Sequence, residues 1–256
     1  MAMKKPLIGV IGGVGPYAGL DVIRKIFDNT RALKDQDHLD CMLVSCPSMI
    51  PDRTEFLLKG AENGMENPAW GMFESAQCLY KAGAEYAVVA CNTAHSSPIF
   101  NLFSRMARES LPGFTVVNML ETCAAFVKES LKITHIGLLA AKGTYKSRVY
   151  HEYFREEDGF ALIEPEERGQ EKIHEAIYSK QFGIKIYTEP VKPQAKNHIA
   201  CEIYRLEERG AKAVILGCTE FPLAVDPQDF SIPILDPGLI VARKLIALAD
   251  PEKLLA

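Results

Sequence analysis

The chain repeats itself at half its length. Ile8-Gly9-Val10-Ile11-Gly12-Gly13-Val14-Gly15-Pro16-Tyr17 aligns without gaps on Ile136-Gly137-Leu138-Leu139-Ala140-Ala141-Lys142-Gly143-Thr144-Tyr145, an offset of 128 in 256 residues. A second match sets Gly83-Ala84-Glu85-Tyr86-Ala87-Val88-Val89-Ala90-Cys91 on Gly210-Ala211-Lys212-Ala213-Val214-Ile215-Leu216-Gly217-Cys218, at an offset of 127. Generic strand–helix units always resemble one another somewhat. Two separate matches at nearly one offset favour the sharper reading, a fold built twice from homologous halves.

What is repeated is an α/β unit. Short aliphatic runs at 7–11, 41–45, 86–90, 115–117, 135–139, 160–163, 213–216 and 232–235 are near-continuously apolar rather than alternating, as strands covered on both faces should be. Helical stretches lie between them, for example Trp70 to Ala82 and His198 to Arg209, the latter stopped by Gly210. Strands alternating with helices mean a mostly parallel sheet. The expected fold is α/β: two similar parallel-sheet α/β domains related by a pseudo-twofold, with the active site in the cleft between them. The expected division is residues 1–119 plus 224–256, the C-terminal helix returning to the first domain, and residues 120–223 for the second. Pro190-Val191-Lys192-Pro193 reads as a surface loop and a lid.

Composition narrows the function classes. With 29 basic and 33 acidic residues the net charge is −4, so no global basic field draws the chain to nucleic acid or an anionic membrane. No apolar run reaches the ~18 residues of a membrane helix, and the stretch after Met1-Ala2-Met3-Lys4-Lys5-Pro6 is too short for a signal sequence. Seven cysteines, an odd number with no C-x-x-C pair, read as reduced thiols rather than a disulfide framework or zinc ribbon. The expectation is a cytoplasmic protein. The histidines show no metal-ligand spacing, so no metal is expected.

The chemistry concentrates where the repeat places it. Cys91 and Cys218 each follow a repeat-equivalent strand, and ligands of open α/β sheets bind outside the carboxyl ends of strands. Either cysteine alone reads as a buried, inert thiol. As a matched pair with polar followers, Asn92-Thr93 and Thr219-Glu220, they suggest a two-base task. One thiolate removes a proton from a carbon, one thiol returns a proton to the opposite face, and the roles exchange in the reverse direction. Backbone N–H groups and side chains such as Asn92 and Thr219 would stabilise the carbanionic transition state. Gly12-Gly13-Val14-Gly15-Pro16 lacks the last glycine of a dinucleotide fingerprint and reads as a close backbone approach to a small carboxylate, with Thr144 and Ser147 as hydroxyl donors in the second half. Arg53 has two readings: a surface arginine paired with Asp52 or Glu55, or a planar fork on a substrate carboxylate. His95 and Glu220 either set thiol protonation or bond locally. The remaining cysteines, at 41, 46, 78, 123 and 201, have no repeat partner and read as structural.

Ile11-Gly12-Gly13-Val14-Gly15-Pro16, Pro51-Asp52-Arg53-Thr54, Cys91-Asn92-Thr93-Ala94-His95, Gly217-Cys218-Thr219-Glu220 and Ile234-Leu235-Asp236-Pro237 together resemble the aspartate/glutamate racemase family, in family order and across essentially the whole chain. The Pro51–Thr54 segment is closer to aspartate racemases than to the glutamate racemases of cell-wall synthesis. The resemblance implies an isomerase with two α/β domains, no cofactor and so no pyridoxal phosphate, and a homodimer. It also implies Cys91 and Cys218 as catalytic residues, Gly13, Asn92, Thr93 and Thr219 on the α-amino and α-carboxylate groups, and Arg53 on the side-chain carboxylate. A lysine shortly before an Ile-Tyr pair should help hold that carboxylate. Counted back from Ile177-Tyr178, the place falls on Glu171, and a one-residue shift restores Lys172. With the acidic residue, a neutral or basic amino acid becomes the alternative substrate.

The resulting expectation is racemisation of a small acidic amino acid, aspartate before others, by two thiols. The rivals are a racemase of another amino acid, a cysteine-dependent isomerase of diacids, and a carboxylate-binding protein without activity. The halves look chemically alike, so the sequence does not say which cysteine serves which enantiomer.

Overall fold

The computed structural model of the chain describes residues 5–60 and 64–255; the first four residues, read above for targeting, lie outside this range. The chain forms two compact units, one of Met1–Thr122 with Gly238–Ala256 and one of Cys123–Pro237. The first runs β1 (Leu7–Ile11), α1 (Pro16–Asp28), β2 (Asp40–Val44), a single turn α2 (Arg53–Glu55), α3 (Ala69–Ala82), β3 (Ala84–Val89), α4 (Ser97–Ser110) and β4 (Thr115–Val117). Helix α5 (Met119–Phe126) then carries the chain into the second unit. There follow β5 (His135–Ala140), α6 (Lys142–Ser147), α7 (Val149–Tyr153), β6 (Ala161–Ile163), α8 (Glu167–Tyr178), α9 (Pro193–Glu208), β7 (Ala213–Gly217) and β8 (Ile234–Leu235), before α10 (Pro237–Ala249).

Each unit has a four-stranded, all-parallel sheet, ordered β2-β1-β3-β4 in the first and β6-β5-β7-β8 in the second. The apolar runs are explained by the two-residue period of a strand with helices on both sides. In the first unit Ile8, Val10 and Val88 pack with Val22 and Ile26 of α1 and Leu245 and Ile246 of α10. Ile11 and Val89 turn the other way, onto Met72 and Leu79 of α3 and Ile99 and Phe103 of α4. In the second unit Leu139, Val214 and Leu216 meet Ile173 and Ile177 of α8 and Ile199, Ile203 and Leu206 of α9.

The repeat extends to the register. Gly9 lies opposite Ala87 and Ile11 opposite Val89; at the repeat offsets, Gly137 lies opposite Val214 and Leu139 opposite Leu216. The matched glycines admit a close helix. A Cβ on Gly9 would stand 2.8 Å from Leu79 Cδ1, and one on Gly137 would stand 3.2 Å from Leu206 Cδ1. Leu79 and Leu206 are themselves 127 residues apart.

The structure moves several expected boundaries. The 224–256 segment does not return as a whole. Ile234 and Leu235 pair with Val214 and Ile215 of β7, which holds the chain in the second unit until Pro237, and only α10 and the residues after it return. The helix read from His198 begins at Pro193, whose fixed φ suits a first helical position. The 190–193 segment lies at the surface as expected, with Pro190, Lys192 and Pro193 exposed, but it is pinned by Val191, which is buried in the core of the second unit. Among the described residues no helix is long and apolar enough to cross a membrane.

Candidate active site

In both units the chain leaves the first strand towards one edge of the sheet and later places the third strand on that strand's other side. The loops after these two neighbours diverge, leaving a crevice at their carboxyl ends, the switch point where open α/β sheets take ligands. In the first unit those segments are Gly12–Gly15 after β1 and Cys91–Ser96 after β3; in the second they are Ala141 with the first turn of α6, after β5, and Cys218–Glu220 after β7. Of the sequence-derived candidates, Gly13, Cys91, Asn92 and Thr93 fall at the first of these places and Thr144, Cys218, Thr219 and Glu220 at the second; Arg53 stands after β2, in α2, and Lys172 lies elsewhere.

In the first unit Gly13 adopts φ +75°, and a Cβ there would meet the Cys46 and Pro47 backbone at 2.9–3.0 Å, so only glycine lets the β1 loop lie against the loop after β2. Arg53 reaches the same loop. It is buried, and its guanidinium donates from Nη1 to Pro51 O at 3.1 Å and from Nη2 to Val14 O. Asp52, proposed above as its surface partner, accepts the Glu55 N–H at 2.7 Å as the N-cap of α2. Arg53 is thus not a surface arginine: it is a buried cation tethered to the β1 loop.

Cys91 stands one residue past β3, after Ala90. Asn92 opens a 3₁₀ turn, Thr93–His95, that separates the cysteine from α4; all of these residues are buried. His95 does not reach the thiol. Its Nδ1 donates to Cys91 O at 2.8 Å and its Nε2 accepts from Met119 N at 3.3 Å, an arrangement that only the neutral Nδ1–H tautomer satisfies. Phe100 stacks on the ring at 4.6 Å. Burial pushes the imidazole down to about 4, against the opposing effect of its backbone hydrogen bonds. His95 therefore fixes the Cys91 backbone.

The second unit differs. Gly217 ends β7 where a Cβ would stand 2.6 Å from Leu139 O, so the strand closes tightly before Cys218. Cys218 Sγ donates to Glu220 Oε2 at 2.9 Å, and Lys185 Nζ donates to Glu220 Oε1 at 2.6 Å. Lys185 is put there by a fold-back after α8. Ile184 N bonds to Ala176 O at 2.9 Å and Lys185 N to Ile177 O at 3.2 Å, with Gly183 packed against the Ser179 backbone. Its ammonium also stands 5.6 Å from the centre of the Tyr178 ring. Burial and then the Glu220 charge push the Cys218 thiol well above its ordinary value, outweighing Lys185 and the Glu220 N–H. For Lys185, burial opposes the charge, but Glu220 and its neighbours together raise the pKa.

Lys185 is the residue that the sequence reading missed. The positions before Ile177-Tyr178 hold Glu171 and Lys172, whereas the lysine at Glu220 comes seven residues after Tyr178. Lys172 stands elsewhere, lining a cavity of about 410 Å³ with Arg168, Arg205 and Arg209, and Glu171 is exposed. Thr144 and Thr219 are buried at the second unit's switch point, where Thr144 O accepts from Ser147 Oγ at 3.0 Å. Among the described residues no group of three or more His, Cys, Asp or Glu stands together as a metal would require.

The architecture is that of known racemases. An aspartate racemase from Picrophilus torridus superposes with a TM-score of 0.78 at 27% identity, over 98% of this chain and 96% of that one. A glutamate racemase from Shewanella woodyi is 26% identical over 99% of this chain and 84% of its own length. A broad-specificity amino-acid racemase from Bacillus subtilis is 23% identical over 94% of this chain and 97% of its own. Residues 11–245, which include both cysteines and both switch-point loops, match the Asp/Glu/hydantoin racemase family, so the chain belongs to that family and is an amino-acid racemase, an isomerase.

Proposed function

We propose that this racemase interconverts L- and D-aspartate by proton transfer between two thiols, without a cofactor. The observation that carries the reading is the register match: Cys91 and Cys218 stand just past equivalent ends of equivalent strands in a duplicated sheet. A thiolate at one cysteine takes the α-proton, an S–H bond forming as the C–H bond breaks, and the thiol of the other delivers its proton to the opposite face. Turnover leaves the two sulfurs with exchanged protonation states. The α-proton of an amino acid is weakly acidic, so the developing carbanion needs donors already in place. Gly13, Asn92, Thr93 and Thr219 fill that role on the α-amino and α-carboxylate groups, with Thr144 as a further hydroxyl donor. The choice of aspartate rests on Arg53, whose buried guanidinium suits a second carboxylate, and on the likeness to the Picrophilus enzyme. A homodimer working in the cytoplasm belongs to the same proposal; seven free cysteines suit a reducing compartment.

The test is proton NMR of aspartate in D₂O with no cofactor added, paired with chiral chromatography. The expected outcome is loss of the α-proton signal and appearance of the other enantiomer. Cys91→Ala and Cys218→Ala should each lower kcat by a factor on the order of 10²–10⁴. Near-native turnover by either variant would sink the two-thiol mechanism. Exchange with other amino acids but not with aspartate would move the substrate to a wider class.

A further inference from the structure

The repeat that sets Cys91 on Cys218 also sets Thr93 on Glu220, so the two thiols carry different groups two residues on. Only the second has a carboxylate there. Cys218 and Glu220 are both less than a tenth exposed, and the thiol donates to Oε2 at 2.9 Å. On the far side of the same carboxylate stands the Lys185 ammonium, 2.6 Å from Oε1. The other ionisable groups around them are Tyr178, beneath the Lys185 ammonium, and Tyr145 of α6. The Tyr145 hydroxyl is engaged by the backbone, accepting from Ala140 N at 2.8 Å and donating to Leu138 O at 3.1 Å.

A lone thiolate in such a place is costly, because burial penalises a charge that has no counter-charge. The three groups together avoid that cost. Thiol, carboxylate and ammonium sum to zero, and so do thiolate, carboxylic acid and ammonium. A proton can therefore pass from sulfur to oxygen without changing the net charge of the buried cluster.

We propose that Glu220 is a positioning residue that exchanges the proton of Cys218, with Lys185 as the fixed counter-ion that keeps the cluster neutral. The proposal rests on the two-thiol reading above. When Cys218 acts as acid, its S–H bond breaks as the carbanionic carbon gains the proton, and the thiolate regains a proton from water by way of Glu220. When it acts as base, the thiol proton first passes to Oε2, the O–H bond forming as S–H breaks; the thiolate then takes the α-proton, and Oε2 gives its proton up to water, which returns the cluster to thiol, carboxylate and ammonium. Burial and the Glu220 charge both favour the proton on sulfur at rest, which makes Cys218 the resting acid. The halves are therefore alike in fold and unlike in proton chemistry.

The test follows Cys218 itself. The folded wild type, Glu220→Gln and Glu220→Asp are treated with iodoacetamide across a pH series, and modification is resolved by peptide mass spectrometry; kcat and KM are measured alongside. Glu220→Gln should lower kcat on the order of 10²-fold with little change in KM. Over the same change Cys218 should alkylate faster, by roughly tenfold for each unit its pKa falls, because Lys185 then acts on it unopposed. Glu220→Asp should recover part of kcat. A purely structural role predicts lost activity with an unmoved alkylation profile, and that result, or wild-type kcat in Glu220→Gln, would overturn the proposal. Should Glu220→Gln fail to fold, Lys185→Met decides: slower alkylation supports the cluster, and unchanged or faster alkylation overturns it. Alkylation needs no substrate, so wild-type protein inert towards aspartate would count against the substrate and leave the thiol measurement standing.

Discussion

A neutral imidazole enclosed by Phe100 and two backbone groups has a measurable signature. The unfolded chain protonates histidine near pH 6.5, while folded His95 resists until about pH 4. The folded-state pKa is the lower one. The stability that depends on neutral His95 is therefore fully present above pH 6.5 and lost as pH falls towards 4, by about 3 kcal/mol at the limit. Denaturant unfolding of the wild type and of His95→Asn at several pH values should show a steeper acid loss in the wild type; parallel curves would refute it. At this scale the sequence was a good guide to residues placed by the repeat. Cys91, Cys218, Asn92 and Thr219 all fall at switch points because the strands before them are duplicated. It was a poor guide to Lys185, whose bond to Glu220 joins positions 35 apart through an irregular fold-back that has no periodicity to read. It also left His95 undecided, since only three-dimensional placement shows that the ring meets the Cys91 carbonyl.

Elements explain why the duplication persists where it does. Gly9 and Gly137 are small so that Leu79 and Leu206 can lie flat on the sheet. A methyl group at Gly9 would push on Leu79 in a core where overpacking costs about 1–3 kcal/mol, whereas Leu79→Ala, which empties a fully buried site, should cost about 2–5 kcal/mol. The two changes compensate in part. The Gly9→Ala/Leu79→Ala double variant should be more stable than the sum of the single effects predicts, by about 0.5 kcal/mol or more in unfolding free energy. Strict additivity would mean that the contact is not shared. Strands were legible to within a residue or two because burial on both faces leaves an uninterrupted apolar signal. The start of α9 was not. Pro193 begins the helix, but prolines before a periodic stretch read equally well as a loop, and the burial of Val191 depends on partners distant in sequence.

For the molecule as a whole, the duplication was legible and the exact seam was not. The second unit keeps residues 224–237 because β8, a strand of two residues within the apolar run 232–235, completes its sheet, and that run carries no sign of which of two similar sheets it joins. What returns to the first unit is α10, with Val241, Ala242, Leu245 and Ile246 fully buried against Ile8, Val10 and Val88. Synthesis from the N-terminus gives that return an order in time. The second unit is a single continuous segment and has all of its strands once Pro237 has left the ribosome. The first unit, although its strands are made earliest, waits with one sheet face covered only by α1 until α10 arrives, and domains fold as units during translation. Stalled nascent chains released at increasing lengths should thus gain protease resistance in the later-made half first, and simultaneous protection of both halves would contradict this order. The half translated first would be the half that finishes folding last, and a holdase at the ribosome exit would find its apolar target on the β1 side of the first sheet.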